Sequence, residues 1–141
     1  MLNRKLDVSV LDFKAFGDEK GKITICEGKQ DIPFYPKRVF YIYNTGEGVV
    51  RGKHANRITD FVLVNVAGES KVKILDGKGN EIVYSLNKPN IGIYIPHMTW
   101  KEMYDFSSDS VLLCLASEHY DPDEYIRDYN EFLNEINKGT T

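Results

Sequence analysis

The sequence predicts an all-β protein, a sandwich or barrel of short strands followed by one C-terminal helix. Short β-branched and aromatic runs, spaced about ten residues apart, alternate with Gly, Asn, Asp and Pro turns. One run, Phe61-Val62-Leu63-Val64-Asn65-Val66-Ala67, is apolar almost throughout, as a strand inside a β-sandwich or barrel must be. Only the end of the chain changes period. Tyr125, Ile126, Tyr129, Phe132, Leu133 and Ile136 recur at three- and four-residue steps.

Taken in order, Leu6 to Phe13 alternates in the β manner and breaks at Gly17-Asp18-Glu19-Lys20-Gly21. That loop hands over to a short strand, Lys22 to Cys26. Pro33 and Pro36 mark an irregular connection into Arg38 to Tyr43, an aromatic and β-branched strand, and Asn44 to Gly48 is a turn by composition. After the buried run, Gly68-Glu69-Ser70 turns into Lys71 to Leu75, and Asp76 to Asn80 is a hairpin loop into Glu81 to Leu86. Ile91 to Ile95, Trp100 to Phe106 and a fully buried Ser110 to Ala116 complete the strands. Asp121 as N-cap, Pro122 at the first helical position and Glu124 at N3 then open an amphipathic helix over about 122–136.

The bulk numbers fit one domain. A chain of 141 residues with 42% hydrophobic content can bury a real core. A formal net charge of −3 with no dominant basic face argues against a nucleic-acid partner. The opening Met1 to Lys5 has no apolar leader core, and no run approaches spanning length, so no membrane is expected. Cys26 and Cys114 sit in apolar strand-like sequence and read as buried, reduced thiols of a cytoplasmic protein.

The chemistry concentrates in Arg51-Gly52-Lys53-His54-Ala55-Asn56, placed by the following apolar run at the start of a core strand. There Arg51 can hold an anion while His54 moves a proton. Gly48, His54, Asn56, Asp60 and Gly68 are spaced in a way that resembles the first motif of the cupin superfamily. The implied fold is a cupin, a double-stranded β-helix or jelly roll. Cupins commonly hold a metal with His-x-His, a downstream Glu and a later His. Here those positions read Asn56, Asp60 and, in the second motif, Pro96-His97-Met98-Thr99-Trp100-Lys101. One imidazole, an amide and an ammonium do not suit a transition metal, so neither metal nor cofactor is expected.

Arg51-Gly52-Lys53-His54 also resembles the dTDP-4-keto-6-deoxyglucose 3,5-epimerases, and Asp18-Glu19-Lys20-Gly21 looks like their Asp-x-Arg-Gly signature with Lys20 for Arg. Those enzymes are longer. The similarity to the sugar-nucleotide 3,4-ketoisomerases covers nearly the whole chain. It runs through Ile32-Pro33-Phe34, Lys37 to Ile42, the central motif, Gly92 to Ile95, Trp100 to Phe106, Leu115 to Asp121 and Tyr125 to Tyr129. One position departs: the family commonly reads Arg-Gly-x-His-Ala-His, and the second His is Asn56 here. An amide can donate and accept hydrogen bonds but cannot carry a proton.

The resemblance implies a metal-independent isomerase that moves the ketone of a dTDP-linked 4-keto-6-deoxyhexose from C4 to C3. The product would serve deoxyamino-sugar synthesis for a surface glycan such as a lipopolysaccharide O-antigen. A homodimer in the cytoplasm is the expected setting. The reaction needs a base for the C3 hydrogen, for which a neutral imidazole with a reference pKa near about 6.5 is matched. His54 is that base, Asn56 orients an oxygen or a water, and Tyr41 completes the catalytic set. Arg51, Arg38 and Lys20 are the cations for phosphate and sugar, joined by Lys101, Trp100 and Glu102 as substrate-binding residues. Arg38 is singled out because an inward Arg in a strand is costly unless paired. His97 and His119 are read as structural or surface. Three rival readings stay open: an epimerase with the same site parts, a sugar-binding cupin that has lost its proton carrier at Asn56, and a metalloenzyme.

Overall fold

The structure, a computed structural model, describes residues 8–139. Leu6 and Met1 to Lys5, on which part of the reading above rests, lie outside the described residues. Two five-stranded antiparallel sheets face each other, with a separate two-stranded hairpin beside them. The first sheet is built from β1 (Ser9–Asp12), β9 (Ile91–Ile95), β6 (Phe61–Ala67), β11 (Val111–Ala116) and β4 (Arg38–Ile42), in that spatial order. The second runs β12 (Tyr125–Ile126), β5 (Arg51–Asn56), β10 (Trp100–Tyr104), β7 (Ser70–Leu75) and β8 (Glu81–Leu86). This is the expected jelly-roll sandwich.

Period-two alternation builds the core. Phe61 and Leu63 of β6, Ile93 and Ile95 of β9, and Leu112 and Cys114 of β11 point inward from one sheet. Val72, Ile74 and Met103 meet them from the other. The opposite face of the first sheet is covered by the irregular segment carrying Ile32 and Phe34, which rest on Val62, Val64 and Leu115. Both faces of β6 are covered over Phe61 to Val64, which is why that stretch is apolar without interruption.

Two elements differ from the sequence reading. The break at Gly17 to Gly21 is a hairpin tip, in which β2 (Ala15–Asp18) pairs with β3 (Gly21–Thr24). The C-terminal helix α1 spans Tyr129–Gly139 and does not begin at Pro122. Asp121 does cap, but it caps the 3₁₀ turn Pro122–Glu124, and the chain then extends so that Tyr125 and Ile126 pair with Asn56 and Ala55. The cap of α1 is Asp128, whose Oδ1 accepts from the Asn130 amide at 2.8 Å. The helix lays Tyr129, Phe132, Leu133 and Ile136 onto Trp100, Ala55 and Ile126, on the outer face of the second sheet. Arg57 fastens it by donating to Glu135 at 2.6 Å and Glu131 at 3.0 Å. No helix among the described residues is long and apolar enough to cross a membrane.

Candidate active site

A cavity of about 320 Å³ opens between the two sheets. Its walls come from β4, β5, β6, β10 and β11 and from the segment after β11. The motif Arg51 to Asn56 forms its own strand, β5, in the second sheet, and so is not the start of the core strand Phe61–Ala67, which lies in the first. In a regular strand Arg51 and His54, three residues apart, would face opposite sides. Here both line the cavity. The reason is a β-bulge: Lys101 pairs with His54 and Glu102 with Gly52, leaving Lys53 as the extra residue. Gly52 and Lys53 take positive φ values of 84° and 57°. Glycine suits position 52, since a side chain is strained at this φ and a Cβ would lie 3.0 Å from the Lys101 carbonyl oxygen and 3.1 Å from the Met103 sulfur.

His54 faces Tyr125 at 4.8 Å between ring centroids. Its pKa is pushed down to about 3, first by burial and then by the positive charges of Lys101 and Arg127, against the opposing pull of the Gly52 carbonyl. The ring is therefore neutral throughout the physiological range. The reference value of about 6.5 does not describe this buried ring. Lys101, 3% exposed, donates from Nζ to Asn56 Oδ1 at 3.3 Å and stands 4.1 Å from the centre of the Phe61 ring. Burial pushes its pKa down to about 7; Cys114 and Glu124 pull it up, and Arg38 adds to the depression.

Arg38 enters the cavity from β4. Its Nε donates to the Glu118 carbonyl at 3.2 Å and its Nη1 to the Tyr125 hydroxyl at 3.4 Å. Its plane lies against Phe40 at 5.2 Å and Tyr120 at 5.5 Å, while Nη2 is buried without a hydrogen-bond partner among the described residues. Arg51, more exposed, stands at the mouth. A cavity lined by three cations, one with an unused donor, is built to receive an anion. Cys114 also lines it, but burial pushes its thiol up to about 12 against the pull of Lys101, Arg38 and Arg51, so it is not a nucleophile at neutral pH. Cys26 is only half-buried, and neither cysteine is paired.

The structure brings His54, Asn56, Arg51, Arg38 and Lys101 together, leaves Tyr41 at the rim and puts three other choices outside. Trp100 and Glu102 alternate to the opposite face of β10 from Lys101. Trp100 is buried under α1, and its indole donates to Glu102 at 3.0 Å. Tyr41 reaches only the rim, 59% exposed and tilted against Tyr43 at 5.9 Å. The phenol beside His54 is Tyr125. Lys20 sits at the exposed β2–β3 tip, away from this chain's cavity lining. Asp60 is tied up elsewhere, accepting from the His97 amide at 2.8 Å and meeting its Nδ1 at 2.9 Å. Among the described residues no three His, Cys, Asp or Glu side chains converge in a way that could hold a metal ion.

The family model described as FdtA: WxcM-like, C-terminal matches residues 6–137. The chain belongs to this family. It is 38% identical over 133 residues to the TDP-4-oxo-6-deoxy-alpha-D-glucose-3,4-oxoisomerase of Aneurinibacillus thermoaerophilus, covering 94% of this chain and 95% of the relative. Among solved structures it is similar to a 3,4-ketoisomerase from Helicobacter canadensis, with 41% identity, TM-score 0.90, and coverage of 94% of this chain and 98% of the other. It is also similar to a His-to-Asn variant of the 3,4-ketoisomerase QdtA from Thermoanaerobacterium thermosaccharolyticum, in complex with TDP-4-keto-6-deoxyglucose. That match has 39% identity and TM-score 0.90, and covers 93% of this chain and 94% of the other.

Sequence reasoning missed Tyr120, Tyr125 and Glu124 of this FdtA-family chain. Tyr125 fits a helical stripe by its spacing, although it also opens the matched segment Tyr125 to Tyr129. Glu124 passed for a capping-box residue. Its carboxylate instead accepts from the amides of Ile58 at 2.9 Å and Thr59 at 3.1 Å, and from the Thr59 hydroxyl. That anchor sets Tyr125 and Ile126 on the edge of β5 and so completes the wall behind His54.

Proposed function

We propose that the protein is a 3,4-ketoisomerase that moves the ketone of a TDP-linked 4-keto-6-deoxyhexose from C4 to C3. The observation that carries this is a neutral imidazole facing a cavity whose charged side chains, Arg38, Arg51 and Lys101, are all cations. His54 takes the hydrogen at C3, acidic because the C4 carbonyl is adjacent, and returns a proton at C4. Charge developing on the sugar oxygens is met by Lys101, with Asn56 held beside it. One such prepositioned donor is worth about 3 kcal/mol or somewhat more. Arg38 and Arg51 receive the diphosphate. A pKa of about 3 makes His54 a weak base in the empty cavity. An anionic substrate offsets the positive charges that help to depress it, which strengthens the base once the complex forms.

Incubation with TDP-4-keto-6-deoxyglucose in D2O, followed by NMR, tests the reading. The expected result is a 3-keto product. A ketone that stays at C4 while neighbouring carbons exchange or invert would make the protein an epimerase, and TDP-sugar binding without any change would leave a binding protein. A ketone at C3 is the group an aminotransferase needs, which supports a place for the product in a 3-amino-3,6-dideoxy sugar of a lipopolysaccharide O-antigen, made in the cytoplasm.

The proposed assembly is a homodimer. Among the described residues the β2–β3 hairpin pairs only with itself, and it exposes Phe16 and Ile23 by 50% and 60%. An isolated two-stranded hairpin is marginal in water. The edge strand β4 and its continuation show a second apolar stripe, Val39, Tyr41 and Tyr43, each more than half exposed. A second copy covering these surfaces would also let Lys20 approach a neighbour's site. Light scattering coupled to size exclusion should return twice the chain mass; a monomer at micromolar concentration would remove this part of the proposal.

A further inference from the structure

Asn56 leaves the cavity with a single imidazole, yet a ketone transposition moves two kinds of proton. One travels between C3 and C4, and the other must leave O3 and arrive at O4. The group that stands against the Asn56 amide is Lys101, at 3.3 Å. Its Nζ stands 4.1 Å from the centre of the Phe61 ring, and Lys101 lines the cavity together with Phe61 and His54. Resting on the reading of the protein as a 3,4-ketoisomerase, we infer that Lys101 is a catalytic acid–base residue, which carries the oxygen-bound proton that the Asn56 amide cannot.

The steps balance without any co-reactant. As neutral His54 takes the C3 hydrogen, the C–H pair becomes the C3=C4 double bond. The carbonyl pair moves onto O4, which takes a proton from the Lys101 ammonium. The result is a neutral enediol, an imidazolium and a lysine amine. The amine then takes the O3 hydroxyl proton, O3 forms the new carbonyl, and the C3=C4 pair takes the proton from His54 at C4. Both residues end as they began. O3 and O4 of a cis-enediol are adjacent, so a single nitrogen can serve both.

The surroundings suit a lysine that changes charge in each cycle. Arg38 on β4 and His54 on β5 face it as cation and neutral ring, the Cys114 thiol on β11 is protonated, and the Glu124 carboxylate after β11 is the one anion acting on it among the described residues. Burial with so little counter-charge brings the ammonium close to loss of its proton at neutral pH, where an acid–base catalyst is most effective. A lysine serving only as a fixed cation would gain nothing from this.

The test is the pH dependence of kcat for the wild type, Lys101→Arg and Lys101→Met, with TDP binding measured in each. The first step needs the ammonium, so wild-type kcat should fall as pH rises through the Lys101 titration, well below the usual lysine range. Lys101→Arg keeps the charge but cannot release a proton. It should lose at least about a hundredfold in kcat, and its residual rate should lack the basic limb. Lys101→Met should lose both the rate and the limb. Wild-type kcat that stays flat to pH 10 overturns the assignment whether or not the variants fold. So does a Lys101→Arg enzyme that retains wild-type kcat, since that is the signature of a fixed cation. A wild type that makes no 3-keto product defeats the isomerase reading itself, and this assignment with it.

Discussion

Replacement of His54 by Asn should lower kcat by about a thousandfold or more while leaving TDP binding nearly intact. Asn fills much of the imidazole volume but cannot accept and return a proton. Of the cations proposed to meet the substrate, Arg38 and Lys101 do not depend on His54 for their placement. Arg38 is held by the Glu118 carbonyl and the Tyr125 hydroxyl, and Lys101 by Asn56. His54 is already neutral, so the substitution removes no charge from the binding site. Single-turnover NMR with TDP-4-keto-6-deoxyglucose and calorimetric titration with TDP measure the two halves. Turnover retained within about tenfold would dismiss His54 as the base, because general acid–base catalysis is worth more than that. Loss of both turnover and TDP binding would mean that the ring supports the wall and leaves the chemistry to another group.

The second large effect is on stability and comes from a residue outside the cavity lining. Glu124→Ala strands the amides of Ile58 and Thr59 and the Thr59 hydroxyl, all of which now donate to one buried carboxylate. Leaving such donors unmade, and the nearby Lys101 without its anion, should cost about 3 kcal/mol or more. Denaturant unfolding measures it. Burial alone would raise the Glu124 carboxyl, but the bonds from Thr59, Ile58 and Asn56 outweigh it and hold the group below the usual carboxylate range. Its contribution is thus fully present above the unfolded value of about 4.5 and is lost as pH falls through the lower folded value. The gap between wild type and Glu124→Ala should narrow on acidification. Because the same anchor sets Tyr125 beside His54, kcat should fall as well. A variant as stable as the wild type at pH 7 would mean that the 3₁₀ turn is held by packing alone.

Much of the sandwich was legible because period-two patterns and turn residues act locally. Glu81–Leu86 and Ile91–Ile95 are strands with the bounds their turns announce. The helix start was misread because Asp121, Pro122 and Glu124 satisfy the capping rules by themselves. The competing partners, Thr59 and the free edge of β5, lie more than sixty residues away in sequence. They draw Tyr125 and Ile126 into a strand, a tertiary override of local preference. The choice of Trp100 and Glu102 beside Lys101 failed for a simpler reason. Consecutive strand residues face opposite ways, and the burial of Lys101 between the sheets commits its neighbours to the outside.

The local chemistry, then, was set by residue order alone: strands broken by turns, one imidazole in the central motif, an amide where the family commonly has a second, and a supply of cations. Which of those groups meet was decided by the assembled sheets. Arg51 and His54 share a face only because the β5–β10 pairing accommodates an extra residue at Lys53, next to a glycine pressed against the Lys101 carbonyl. A bulge is a property of two paired strands, so neither strand's sequence states it. Lys101 likewise becomes a titrating group only when Phe61, Asn56 and Cys114 close around it, since burial is conferred by neighbours distant along the chain.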